Sequence, residues 1–549
     1  MSTDIVDLAG ERSALEEARR AVTAKLERIE RIEGGGADSL ADEYIGAVIA
    51  GTIEKLRQDL VVFGRIDDDA TWRIGLYGID DGAANQLVID WRTTFAAAFY
   101  QARFDEPMGL TRRVAYVGCI TDLLIEDFER GEVSGSSPLM AELSRRRGTE
   151  MRTAVATLQT EQDDLVRLPP DATLVLRGGP GTGKTVVALH RAAWLVYHDT
   201  RISADRVLVL GPSDRFLDYV ASVLPTLGEA RIHQTTFERL LGSSCAAGSD
   251  ERWLDALDRF EAQLITPAAI SVGARTLPES DVAHALERVG GLALPWRDRR
   301  KLFLDRLAKL PGARAASRTE LAKAAAPVFP ALTTTGALRR LRSRPTLKRL
   351  GLDAELIDAW LDEETDGALA DEVRARFEGV PARYAHVIVD EAQDMSLLQL
   401  RAVQRRSKGL MLVGDDAQRS TPWGLGLRRA GRILEVEPTE LRTAYRMSAE
   451  ITHWLNDHAA EHGIDAIELD GIRPTGVAVT DIEDVESSRR DLASRWDTVA
   501  VISPGEVWEH KGIEYDAVIV DTVGTGRPME PSEIYLAASR AAHELHIVR

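Results

Sequence analysis

Residues 173–196 read TLVLRGGPGTGKTVVALHRAAWLV: an apolar run, then Gly178, Gly179, Pro180, Gly181, Thr182, Gly183, Lys184 and Thr185, then an amphipathic run. A strand, a glycine loop and a helix in this order make a phosphate cradle. The glycines let backbone N–H groups and the helix N-terminus face phosphate oxygens, Lys184 neutralises the outer phosphates, and the Thr185 hydroxyl can ligate Mg²⁺. Such a site needs carboxylates at a second strand end, and AHVIVDEAQDMS supplies them. Asp390 is placed to hold Mg²⁺ and Glu391 to orient and deprotonate an attacking water.

These residues need a parallel α/β scaffold, and the pattern from about residue 150 onward, strand, loop and helix in alternation, is the one that builds it. Upstream the pattern differs. Leu8, Leu15, Val22 and Ile29 recur every seven residues, and Ile45, Ile49, Ile53, Leu56, Leu60 and Phe63 form a second apolar stripe. Gly34, Gly35 and Gly36 separate the two, so an antiparallel coiled coil is expected, each arm of about thirty residues running roughly 45 Å. Its tip is acidic, with Glu30, Glu33, Asp38, Asp42 and Glu43 against Arg31. Residues 71–118 read as short strands separated by turn signals.

The 549 residues allow several domains, each with its own core. No signal peptide and no run of eighteen apolar residues is evident, so a cytoplasmic protein without a membrane span is expected. Cys119 and Cys245 stand far apart and outside any metal spacing, and His458 and His462 read as a solvated helix face. The net charge of −19 opposes nucleic acid as the main ligand of the free chain. The charge is unevenly spread: Arg297 to Arg349 holds fifteen basic and three acidic residues, and Asp353 to Glu372 holds nine acidic residues and no basic ones. Such a bipolar block is either a solvated helical face or a docking surface.

Further motifs follow in a fixed order: Leu158 and Gln162 before the loop, then VGDDAQRSTPWG, LRTAYRMS, HKGIEYDAVIVD and IYLAASRA. Together they resemble the UvrD/Rep-like superfamily 1 helicases. The resemblance implies ATP and Mg²⁺ as cofactors, with Gln162 reading adenine and Gln418 sensing the γ-phosphate. It puts Trp423 where that family stacks a base and Tyr445 beside the adenine. It also implies Arg446 and Arg540 as γ-phosphate arginines and Glu514 near the ribose and phosphates. Two arginines on a second lobe would complete a site whose lysine and carboxylates lie on the first, so that ATP closes the cleft.

Arg446 and Lys511 are 65 residues apart, too few for the large domain that helicases of this superfamily usually carry there, and the chain ends nine residues after Arg540. The hairpin, FGRIDDDATWRIGLYGI, LVIDWRTTFAAAFY and VLGPSDRFLDYVASVLPTLGE closely resemble the HelD-like group with its HelR relatives, bacterial motors that bind RNA polymerase. DWRTTF departs from that group's usual DWRAP, and Asp90, Trp91 and Arg92 read better as an interdomain packing cluster. The expected fold is α/β: a coiled-coil arm (1–64), a small β-rich unit (65–149), a first RecA-like lobe (150–244 and 379–430) with a mainly helical insertion (245–378), and a second RecA-like lobe (431–549). The resemblance implies that the arm enters the polymerase secondary channel and that the insertion reaches the primary channel. An acidic tip suits a passage ending at metal ions and basic residues. The expected function is an ATP-driven RNA polymerase recycling factor that binds the core enzyme as a monomer and releases nucleic acid, itself touching nucleic acid only weakly or indirectly. In some relatives the insertion also displaces rifampicin. The alternatives are a 3′–5′ DNA helicase or translocase and a nucleotide-regulated binding protein with little turnover.

Overall fold

The computed structural model describes residues 6–32, 62–83, 85–117, 120–135, 159–227, 229, 231–243, 245–363, 367–524 and 527–548. The hairpin tip from Glu33 to Glu43, the second arm up to residue 61 and the antiparallel pairing lie outside these residues, as does Cys119. Phe63, expected on the second arm's stripe, lies instead in the strand Val62–Asp67, so the β-rich unit begins before residue 65.

The first arm is a helix, Leu8–Ile32. Its first half does not wait for a coiled-coil partner. Ala18 and Val22 are buried in one core with Ile66, Ile74, Ile79 and Tyr116 of the β-rich unit, and Leu8 and Leu15 pack against it. A buried polar knot fastens the same stretch. Glu11, 2% exposed, accepts from Arg65 at 2.6 Å, from Arg73 at 3.1 Å and from the Tyr116 hydroxyl. Burial alone would push the Glu11 carboxyl up, but the Tyr116 hydroxyl and the two arginines hold it below its ordinary value.

The β-rich unit is a seven-stranded, mostly antiparallel sheet. Its strands are β1 (Val62–Asp67), β2 (Thr71–Gly75), β3 (Ile79–Asp80), β4 (Gln86–Asp90), β5 (Arg112–Val117), β6 (Asp122–Asp127) and β7 (Glu132–Gly135), in the order β3-β4-β2-β1-β5-β6-β7. Asp90, Trp91 and Arg92 join it to the next domain, as an interdomain packing cluster would. Arg92 is fully buried, pairs with Asp90 and Glu229 at 2.7 Å each and lies over the Tyr197 ring, while Trp91 meets His190 edge-on at 5.3 Å.

The first RecA-like lobe holds β8 (Thr173–Gly178), β9 (Val207–Gly211) and β10 (His233–Thr236). After the helical insertion, which carries the small hairpin of β11 (Ile270–Val272) and β12 (Arg275–Leu277), the lobe resumes with β13 (Tyr384–Val389), β14 (Ser407–Gly414) and β15 (Thr439–Leu441). The six strands are parallel, in the order β10-β9-β13-β14-β8-β15. Helices cover both faces, which is why β8, β9, β13 and β14 are near-continuous apolar runs rather than alternating ones. Because β15 pairs with β8, the first lobe extends to Leu441, beyond the boundary at 430 that the sequence pattern suggested. A three-residue edge strand has too little periodicity to be read from sequence.

The insertion has its own core of Trp253, Trp296, Phe303, Phe329, Trp360 and Phe377. It is tied to the lobe through Asp371 and Glu372, which pair with Arg401, Arg405 and Arg406 of the helix Leu397–Arg406. The basic and acidic runs meet where Arg344 pairs with Asp358 and where Arg342 lies 3.8 Å over the Trp360 ring, while Asp353 takes Arg252 from outside the basic run. Arg339 and Arg340 are exposed.

The second RecA-like lobe contains β16 (Thr443–Ala444), β17 (Asp470–Gly471), β18 (Thr480–Ile482), β19 (Val499–Ile502), β20 (Tyr515–Asp521) and β21 (Ala541–Val548), the last four forming a parallel sheet in the order β18-β21-β20-β19. His458 does not sit on a solvated face, as its spacing with His462 suggested. It is 9% exposed, donates from Nε2 to Pro531 O at 2.9 Å and stacks on Trp454, because its helix, Ala449–His462, lies against Pro531–Ala538. No described helix is long and apolar enough to cross a membrane.

Candidate nucleotide site between the lobes

The loop after β8 turns into the helix Lys184–His198 through Gly181 and Gly183, whose φ angles of 73° and 80° lie in the region that costs a side chain. Thr182 Oγ1 closes the loop on Gly179 O at 2.9 Å, and Lys184 Nζ donates to the same carbonyl at 2.7 Å. The Lys184 ammonium is deeply enclosed; burial pulls it below its ordinary range against the opposing pull of Asp415, Glu391 and Asp390.

At the end of β13, Asp390 Oδ2 accepts from Thr185 Oγ1 at 2.7 Å, and Asp390 Oδ1 accepts from Glu391 N at 2.9 Å. Glu391 itself adopts a left-handed φ of 52°. Side chains with φ in this region are uncommon and concentrate at functional sites. Burial, then the adjacent Glu391, pushes the Asp390 carboxyl up to about 6. Glu391 goes the other way: burial works against its charge, but Lys511 and Lys184 together hold it below its ordinary value. Gln393 Nε2 donates to Glu391 Oε2 at 2.7 Å and fixes its direction.

The second lobe leans on the loop. A Cβ at Gly179 would stand 2.6 Å from Leu469 Cδ2, so only glycine permits this approach. Tyr445 N donates to Gly181 O at 3.0 Å, and the Tyr445 hydroxyl donates to Glu161 at 3.1 Å. Arg446 pairs with Glu514. Arg540 Nη2 donates to Gln418 Oε1 at 2.6 Å, while Gln418 Nε2 donates to Asp415 at 2.6 Å. Thus Lys184, Thr185, Asp390, Glu391, Gln418, Tyr445, Arg446, Glu514 and Arg540, from segments hundreds of residues apart, line one cleft. Gln162, which the resemblance implied as the adenine reader, lies beside the loop. It is 3% exposed, accepts from Gln159 N at 3.1 Å and donates to Thr182 O at 3.1 Å, so it also braces the loop. Trp423 is half-buried in the turn beyond Gln418.

Two residues of the cleft were not singled out from sequence. Lys511, inside HKGIEYD, reaches from the second lobe to Glu391 at 3.2 Å, Gln418 O at 3.0 Å and Asp394. Asp415, inside VGDDAQ, accepts from Gln418 and faces Lys184. Both lie in motifs whose neighbours were assigned, and only the contact across the cleft sets them apart.

An ATP–magnesium complex fits this donor set. A buried ammonium, glycine N–H groups at a helix start and two arginines suit a polyphosphate. Among the described residues no group of three or more His, Cys, Asp or Glu could hold a metal. Mg²⁺ would therefore rest on Thr185 and Asp390 and complete its shell with water and phosphate oxygens, as it usually does. The bound group supplies a phosphoanhydride whose charge the dication offsets. With that group bound, Glu391 would be the carboxylate placed to orient a water and take its proton, and Lys184, Arg446 and Arg540 would be the cations available to negative charge developing on the phosphate.

Comparisons with known proteins find similar domains along this chain. Residues 4–118 match the N-terminal domain of DNA helicase IV HelD, and residues 162–422 match an AAA domain. The ATP-dependent helicase NAM7 of Saccharomyces cerevisiae is 40% identical over 65 residues, which are 12% of this chain and 6% of that protein, so the match spans a small part of the relative's length. Among solved structures, the arterivirus helicase nonstructural protein 10 aligns at a TM-score of 0.29 and 12% identity, over 71% of this chain and 62% of that one. Its complex with DNA aligns at a TM-score of 0.31 and 10% identity, over 79% and 73%. The chain thus resembles, in succession, the N-terminal domain of DNA helicase IV HelD and an AAA domain of helicase type, and the motif residues singled out from sequence come together between its two lobes.

Proposed function

We propose that the protein is an ATP-driven RNA polymerase recycling factor: the arm and the first-lobe insertion engage the core polymerase, and closure and opening of the ATP cleft work them against it to release nucleic acid. The observation that carries this reading is the way the arm is built into the motor. Glu11 is locked to Arg65 and Arg73 of the β-rich sheet, and that sheet is locked to the first lobe by Arg92–Glu229 and Trp91–His190. A second path joins them: Gln101 donates to Asp163, and Thr160 donates to Tyr100 O, on the helix Thr160–Val166 that also carries Gln162. An arm braced in this way moves with the first lobe instead of swinging freely, which suits insertion into a partner. The segment between Arg446 and Lys511 folds entirely within the second lobe and holds no further domain.

Lysate pull-down after nuclease treatment tests the reading: polymerase subunits should remain bound, and purified core polymerase should bind directly. Loss of all association on nuclease treatment would remove it. Trp423, half-buried beside the γ-phosphate sensor turn, favours a second reading, a single-strand translocase. That reading requires strong ATPase stimulation by single-stranded DNA alone.

A further inference from the structure

Arg177, the residue before the phosphate loop, carries a role that no motif assigns to it. Its side chain is 2% exposed and meets three carboxylates: Asp416 at 2.9 Å, Glu440 at 2.9 Å and Asp465 at 3.2 Å. Asp416 opens the short turn Asp416–Gln418 and also accepts from Leu427 N at 2.6 Å. Glu440 lies in β15, the last strand before the chain crosses between lobes. Asp465 belongs to the second lobe, where its neighbours Ile464 and Ala466 pack against the core. Two further arginines complete the balance of charge, Arg428 on Asp465 at 3.2 Å and Arg442 on Glu440 at 2.9 Å.

We propose that Arg177 is a positioning residue that clamps the second lobe to the phosphate-loop strand and sets the turn carrying Gln418. The inference rests on the reading of the cleft as an ATP site. The turn is held at both ends, Asp416 by Arg177 and Gln418 by Arg540. Displacing either arginine shifts the sensor. The arms of the clamp differ in strength. Asp416, 7% exposed, forms a buried pair that stays made, because breaking it would strand a buried charge. Asp465 is 52% exposed, and water can replace its partner. Opening of the lobes therefore releases Asp465 and leaves Arg177 anchored, ready to recapture it on closure.

The test uses the full chain with spin labels at Ser222→Cys and Ser494→Cys, exposed positions on the first and second lobes, with Cys119 and Cys245 replaced by alanine. Interlobe distances are measured without nucleotide, and ATP turnover is measured alongside. Asp465→Asn should add a population at longer distance and raise KM about two- to fivefold, the range that a half-exposed ion pair carries, with kcat unchanged. Asp465→Glu should restore both. Arg177→Lys, a point charge that cannot serve three carboxylates at once, should lower kcat as well. A distance distribution and KM in Asp465→Asn identical to the parent would overturn the clamp. Turnover in the parent no greater than in Lys184→Ala would overturn the ATP-site reading instead, and the distance comparison would still decide the clamp.

Discussion

Arg540 of the second lobe donates to Gln418 Oε1 of the first at 2.6 Å, and the pair is buried. Because Gln418 also holds Asp415, which faces Lys184, this hydrogen bond links the second lobe to the phosphate loop through two side chains. Arg540→Ala should lower kcat by on the order of 10³-fold, as loss of an arginine finger does. Gln418→Ala added to it should cost little more, since the two act as one unit. Steady-state ATPase assays check both; normal turnover in Arg540→Ala and Arg446→Ala would show that the second-lobe assignments are wrong.

Lys184 and Glu391 should separate binding from turnover. Lys184→Ala removes the ammonium that faces the phosphates, so affinity for a fluorescent ATP analogue should drop. Glu391→Gln keeps the shape and the Gln393 contact but cannot take a proton, so it should bind ATP and hold it unhydrolysed. Equal loss of binding in both variants would contradict these roles.

Deleting residues 1–64 is a poor test of the arm, because it strips Glu11 from the buried Arg65 and destabilises the β-rich unit. Asp38→Asn, Asp42→Asn and Glu43→Gln together remove tip charge and leave that knot intact. Affinity for core polymerase should fall by about tenfold at low ionic strength and by less at high salt, as for a screened charge contact. Unchanged affinity in both buffers would count against secondary-channel entry.

The insertion's arginines should divide into two classes. Arg342 covers the Trp360 ring, and Arg342→Ala should lower thermal stability by about 0.5–2 kcal/mol. Arg339→Ala with Arg340→Ala, at exposed positions, should leave the melting temperature unchanged and slow release of DNA from polymerase. Release at the parent rate would exclude a role for this surface.

Two buried histidines make the first lobe acid-sensitive. Burial holds His190 down to about 4; burial, and then Arg191, holds His386 down to about 3, whereas both titrate near 6.5 when unfolded. Below pH 6.5 the unfolded chain binds protons that the folded lobe refuses, so stability falls as pH drops through this window. His386→Gln should lose about 1–2 kcal/mol less than the parent between pH 7 and pH 5 in urea titrations. Parallel curves would show that His386 is not buried neutral.

Local pattern was enough wherever chemistry and backbone are contiguous. Gly178 to Thr185 declared a phosphate loop because the glycines, the lysine and the flanking apolar runs are consecutive, and Asp390–Glu391 declared its partner because a carboxylate pair follows a buried strand directly. The fold class followed from the same strand and helix periodicity. The first arm was legible as a helix but not as one docked on a sheet, since Ala18 and Val22 look alike to a coiled-coil partner and to a β-sheet core.

Tertiary structure decided every relation that depends on two distant segments meeting. Gln162 carries the sequence signature of a base reader, and only folding shows that its amide also braces the phosphate loop through Gln159 N and Thr182 O. Lys511 marks only a spacing in the sequence, and its approach to Glu391 across the lobes gives it a charge to balance. Arg177 is one arginine among fifty-nine in sequence, and only burial against Asp416, Glu440 and Asp465 sets it apart. The physical reason is common to all three. A residue type records what a side chain can donate or accept, and that capacity is in the sequence. Which partner takes it up depends on which groups folding brings within about 3 Å and shields from water, and that is a property of the assembled lobes.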